Sequence, residues 1–176
     1  MSDLDPRILY KLVEEFRLQC RFLDRAWKQL QEALVRVDEE RCFAGLQDIL
    51  SIGSILVSFS DDLDGLSSPY LREISWLAEL REESSVAALK KVSRAGSANG
   101  LARWLESLGD DEPADMSLMP AGTLSGFKAD LFQRRYDPES HEFTFRGEAI
   151  RIRELVKTIN LAEKQAVKWL NRHNPW

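Results

Sequence analysis

The sequence predicts a mainly α protein, a helical bundle with one short β-hairpin inserted before its C-terminal helix. Two observations carry this. Apolar residues recur three and four positions apart through most of the 176 residues, the spacing that gives a helix one buried face. Period-two alternation is confined to "HEFTFRGEAIRI" (141–152), with Arg146-Gly147 at its centre as a turn. A chain of this length, 44% hydrophobic and 30% charged, is expected to form one domain over residues 1–176 whose core needs no disulfide or metal.

The elements follow in order. Asp5 suits an N-cap and Pro6 the first helical position, where a missing N–H costs nothing. Leu9, Leu12, Val13, Phe16, Leu23, Ala26, Trp27, Leu30 and Leu34 then mark the buried face of a long first helix, which "DEER" (38–41) breaks. A second helix, from about Arg41 to Phe59, is apolar all round and is expected at the centre of the bundle. The turn-rich "SDDLDGLSSP" (60–69) ends it, and a third helix runs through Leu71, Ile74, Leu77 and Leu80. Two shorter helices are expected near 84–95 and 98–108. The acid-, Pro- and Gly-containing "GDDEPADMSLMPAG" (109–122) is a loop, with Met116 and Met119 anchoring it on the core. Helix returns from Thr123 to about Arg135, Pro138 ends it, and the hairpin leads into a last helix from about Arg153 to Asn171.

Composition excludes several functions. A net charge of −5 supplies no global field for nucleic acid, although Lys128, Arg134, Arg135, Arg146, Arg151 and Arg153 make the C-terminal third locally basic. No apolar run reaches the roughly 20 residues of a membrane span, and the acidic start "MSDLDPRILY" lacks a leader pattern, so a cytoplasmic protein without membrane contact is expected. Cys20 and Cys42 have no partnering CxxC or adjacent His and are read as buried small hydrophobes. With His141 and His173 as the only histidines, neither a metal site nor a cofactor is expected. The nucleotide-binding GxxxxGK[ST] and GxGxxG patterns are missing, as are the hydrolase patterns GxSxG and HExxH.

The stretch "FKADLFQRRYD" (127–137), followed by His141, hairpin and closing helix, resembles the HEPN (higher eukaryotes and prokaryotes nucleotide-binding) family. "FLDRAWKQLQEAL" and "RCFAGLQDILSIGSILVSF" also resemble that family's first helical pair. The resemblance implies a HEPN-like bundle, a homodimer with its motif at a two-fold interface, and RNA or a nucleotide as ligand. It further implies a setting in prokaryotic defence or toxin–antitoxin systems, with an antitoxin or defence-system protein as partner. Many members are metal-independent ribonucleases in which an arginine stabilises phosphate charge and a histidine moves the proton.

Laid on the family's motif, Lys128 falls at the arginine, Ala129 at the polar residue and Gln133 at the histidine, with Arg134, Tyr136 and Asp137 trailing. The amide of Gln133 does not titrate near neutral pH, and Lys128 lacks the bidentate fork, so in this register the motif is degenerate. Lys128, Gln133, Arg134 and Tyr136 are then RNA- or phosphate-binding residues. A second register sets Arg135, or Arg134, with His141 as catalytic residues across "YDPES". Pro138 interrupts the helix there and His141 is expected to begin a strand, so the two side chains need not share a face. The plainest alternative makes Lys128, Arg134 and Arg135 the wet face of a helix. Three functions follow: a non-catalytic RNA-, nucleotide- or protein-binding member, a metal-independent endoribonuclease using Arg134 or Arg135 with His141, and a helical scaffold or adaptor unrelated to RNA.

Overall fold

The computed structural model describes residues 6–62, 74–96 and 134–174. Within them the protein is mainly helical, with a small antiparallel sheet before the C-terminal helix. The order is α1 (Pro6–Val35), α2 (Glu39–Asp62), α3 (Ser75–Glu82), α4 (Ser84–Gly96), β1 (Arg134–Asp137), β2 (Glu142–Phe145), β3 (Glu148–Arg151) and α5 (Ile152–Arg172). The expected helix over 98–108, the loop 109–122 and all but the last two residues of the helix expected from Thr123 to about Arg135 lie outside the described residues, as do Lys128 and Gln133.

Helices α1 and α2 form an antiparallel pair. On α1 the residues Leu9, Val13, Phe16, Cys20, Leu23, Ala26, Leu30 and Ala33 are buried, a stripe with the predicted three-and-four spacing. The connection is three residues long. Val37 takes a left-handed conformation (φ 54°) there, and its N–H bonds back to the Leu34 carbonyl. Asp38 then starts α2, its Oδ1 accepting the N–H of Arg41 at 3.1 Å, which satisfies one of the donors a helix start leaves open. The run "DEER" is therefore both break and cap.

Helix α2 packs on α1, α3 and α4, the central place its composition predicted. Leu46, Ile49, Leu56 and Val57 are buried, while Ile55 is 45% exposed, so α2 is less uniformly covered than an all-round apolar helix. By length and composition alone, Glu39–Asp61 would suffice to cross a membrane; here its buried side chains join the common core. Gly45 permits a close approach in the pair. A Cβ at that position would stand 3.2–3.4 Å from the Cβ, Cα and N of Leu30, against backbone that has no rotamer to give.

Helix α5 closes the bundle against α1, α3 and α4, burying Ile152, Leu155, Val156, Ile159, Ala162, Ala166, Trp169 and Leu170. Trp169 is a packing residue: its ring is tilted against Tyr10 at 6.3 Å and stacks on His173 at 4.5 Å. Cys20 and Cys42 are free thiols inside the core, as their isolation in sequence suggested. Desolvation pushes Cys42 up to about 11, with Asp38 and Glu39 adding to it.

The sheet has the order β1-β2-β3 and is one strand larger than the expected hairpin. The hairpin itself is as predicted: β2 and β3 pair antiparallel around Arg146 (φ 48°) and Gly147 (φ 81°), two left-handed residues that match the twist of the strands. The added strand is β1, so Arg134 and Arg135 lie on a strand and not at the end of a helix. Pro138 sits in the β1–β2 turn, where its missing N–H interrupts no ladder.

Two substitutions should move stability in opposite directions. Val37→Gly removes a β-branched residue from left-handed backbone and should raise it by about 1 kcal/mol. Gly45→Val must separate α1 from α2 and should lower it by about 1–3 kcal/mol, despite the better helix propensity of valine. Urea unfolding followed by circular dichroism reads both.

Candidate functional site

Strand alternation decides where the predicted site residues point. On β1 the buried residue is Tyr136, so Arg134 shares the inner face with it and Arg135 and Asp137 take the outer face. The cross-strand register extends both faces. Phe143 lies opposite Tyr136 and Phe145 opposite Arg134 on the inner side, while Thr144 and Glu142 stand opposite Arg135 and Asp137 on the outer side. The Arg134 guanidinium lies over the Phe43 ring of α2, 5.3 Å from its centroid.

His141 ends the β1–β2 turn rather than opening β2, and it is left-handed (φ 55°). Asp137 shapes the turn: its carboxylate accepts from the Glu139 N–H at 2.9 Å and the Ser140 hydroxyl at 2.6 Å. Those bonds, the Ser140 hydroxyl foremost, hold the Asp137 carboxyl below the usual carboxylate range. The turn directs the His141 ring into the core, where the residue is only 5% exposed. There Nδ1 lies 2.7 Å from the Tyr136 Oη, and Trp27 of α1 meets the ring edge-on at 5.2 Å. The His141 carbonyl accepts the N–H of Ile152 at 2.9 Å, tying the turn to the first residue of α5.

The electrostatics of this pair favour neutrality on both sides. Burial, with the Cys42 thiol adding to it, pushes the Tyr136 phenol well above its ordinary value. Burial also pushes His141 below the usual imidazole value, with Arg153 reinforcing the shift and Asp137 opposing it. With both groups neutral, the tautomer with the proton on Nε2 lets the phenol donate to Nδ1, whereas the other would leave the buried phenol proton without an acceptor among the described residues. Protonating His141 would make Nδ1 a donor and strand the phenol proton inside the core. The arrangement suits structure, not proton exchange with a bound substrate.

The second register is thus not assembled. Arg135 is on the sheet face opposite Tyr136, and His141 is bonded to Tyr136 on the inner face. Arg134 shares that inner face but is directed over Phe43. Tyr136, expected to contact RNA or phosphate, is fully buried. No three His, Cys, Asp or Glu side chains gather as a metal would require among the described residues.

Arg134 does line a cleft of about 340 Å³ with Gln47, Leu50, Ser51 and Ser54 of α2, Val92 and Ser93 of α4, and Phe143 and Phe145 of β2. Sequence reasoning singles out Arg134 but not its neighbours there. Their spacing along α2 and α4 is ordinary, and only the fold brings them to the sheet. Trp27 packs against the core as its apolar spacing predicts, with nothing local to say that its partner is a histidine more than 100 positions away.

No family model matches the chain, and no curated protein or solved structure gives a match.

Because the folded imidazole binds its proton more weakly than the unfolded one, the unfolded state takes up more protons as pH falls through the unfolded value of about 6.5. Stability should therefore be fully present above that value. It should decline on acidification until the folded pKa is passed, with this site contributing a slope of at most about 1.4 kcal/mol per pH unit. His141→Asn, which tolerates the left-handed backbone and does not titrate, should flatten that slope in urea midpoints measured from pH 7.5 to 5.

Proposed function

We propose that this protein is a HEPN-like member whose ribonuclease motif is degenerate, acting without catalysis as an RNA-, nucleotide- or protein-binding component of a prokaryotic defence or toxin–antitoxin type system. The observation that supports this most is the state of His141. Metal-independent RNA cleavage needs a titratable group in contact with the 2′-hydroxyl or the leaving oxygen. His141 is the histidine nearest Arg134 and Arg135 in sequence, yet it is buried, bonded to Tyr136 and biased towards its neutral form. In the other register Gln133 stands in the histidine's place and has no such chemistry. What remains usable is binding chemistry, with Arg134 at the mouth of a mixed polar and apolar cleft.

A cytoplasmic homodimer with the motif segment at its two-fold belongs to the same proposal. A helical scaffold or adaptor is the second reading. It is favoured by Ile8, Leu18 and Phe22 of α1, which are 56%, 40% and 38% exposed and fall on one side of that helix.

Purified protein should leave single-stranded RNA intact in EDTA and in magnesium, and His141→Ala should not change that. Gln133→His combined with Lys128→Arg should introduce weak cleavage, since it returns both family side chains to their positions. Cleavage by the wild type that His141→Ala abolishes, with the circular dichroism spectrum unchanged, would contradict the degenerate reading and support the endoribonuclease. Sedimentation at micromolar concentration should give a dimer, and a strict monomer would remove the shared cleft.

A further inference from the structure

We propose that the outer face of α1 is a self-association seam on which α1 of a second copy lies antiparallel. In it Leu18 of each copy packs on Phe22 of the other, and Glu15 of each meets Arg25 of the other. This goes beyond both readings above. The two-fold that the HEPN resemblance implies lies at the motif segment, and the α1 face shares no residue with it.

The face is defined by exposure along the helix. From Ile8 to Glu32, every position reached in alternating steps of three and four residues is exposed. Steps that average 3.5 residues make one seam along a helix, and this seam runs on the side away from the stripe that α1 buries. Leu18 and Phe22 stand at its middle, one turn apart, and are 40% and 38% exposed. Single apolar residues scattered on a surface mean little. Here the apolar pair is bracketed by charge: Glu15 comes three residues before Leu18, and Arg25 three residues after Phe22.

That order, acid then two apolar residues then base, complements itself when reversed. With Leu18 on Phe22 in an antiparallel pair, Glu15 falls on Arg25, Lys11 on Gln29 and Ile8 on Glu32, and the two-fold makes each contact twice. Arg25 has no ion pair among the described residues, and Glu15 accepts from Gln19 at 2.7 Å, so both carry charge for a partner. Lys11 is already paired with Glu14 of its own helix and calls for no acid opposite.

The alternatives fail on the same residues. A shift of one heptad sets Glu15 on Leu18 and Lys11 on Phe22; the opposite shift sets Glu15 on Glu32 and Arg25 on Phe22. Parallel pairing sets Lys11, Glu15 and Arg25 each against its own copy, like charge on like. The chosen register does bring Arg21 near its own copy, but at the wet edge of the seam, where water and salt screen the pair. An unrelated helix has no cause to carry acid and base in mirrored places, whereas a second copy supplies both. The seam is about 36 Å long at 1.5 Å per residue. One helix from each side makes a small interface, so association depends on concentration.

Sedimentation equilibrium of the full chain up to about 100 μM tests the seam. Phe22→Glu should halve the associated mass with the circular dichroism spectrum unchanged, because the side chain is exposed. The change is from dimer to monomer, or from tetramer to dimer where the motif two-fold also forms. Glu15→Arg and Arg25→Glu should each weaken association at least about tenfold, since each variant sets like charges together twice. An equimolar mixture of these two variants should regain the wild-type affinity, because every contact between unlike copies again joins acid to base. A monomeric wild type, a mass unmoved by Phe22→Glu, or a mixture no tighter than its components would each overturn the proposal. A dimer that survives Phe22→Glu leaves the motif two-fold standing, whereas one that Phe22→Glu reduces to monomer keeps the seam and removes the motif two-fold.

Discussion

The hydrogen bond between Tyr136 and His141 is the join on which the rest of the arrangement depends. Three parts of the chain meet there: β1 through the phenol, the β1–β2 turn through the imidazole, and α1 through Trp27 against the imidazole edge. The same histidine's carbonyl receives the first N–H of α5. A sheet of three four-residue strands depends on an apolar face packed against something else. This one is held because its inner face and its turn are inserted among helices, and because two polar groups inside the core satisfy each other. Removing either partner would leave the other desolvated without compensation, a cost of about 1–3 kcal/mol.

That join also separates the residues a nuclease reading needs together. Alternation along β1 sends Arg134 and Arg135 to opposite faces, and the left-handed turn carries His141 inward. The consequence is a division of labour. The histidine positions the sheet, and the positioned sheet presents Arg134 with Phe143 and Phe145 to the serines of α2 and α4. A residue type that suggests proton transfer in the sequence thus contributes through packing.

Much of the fold is legible because it is written in local periodicity. The buried stripe of α1, the break and restart at "DEER", the turn at Arg146-Gly147 and the buried face of α5 all follow from spacing and turn chemistry. What is not legible depends on pairing at a distance. "RRYD" is only four residues long and carries one apolar side chain, so in the sequence it reads as the tail of the helix expected from Thr123, and only β2 lying beside it marks it as a strand. The inward turn of His141 has the same origin. Its signal is the Asp137-Pro138 turn closed by Ser140, while the buried partners come from β1 and, more than a hundred residues earlier, from α1. The cleft around Arg134 gathers three elements whose sequences are individually ordinary, and only the assembled bundle defines it.

The protonation state of His141 tests the central claim most directly. Long-range proton–nitrogen spectra of the folded protein should show its ring as the neutral Nε2–H tautomer, with Nδ1 accepting a hydrogen bond, and its titration should fall below the ordinary imidazole value of about 6.5. An imidazole that titrates at or above that value, with Nδ1 carrying a proton in free exchange with water, would contradict a buried structural histidine and return it to the groups available for catalysis.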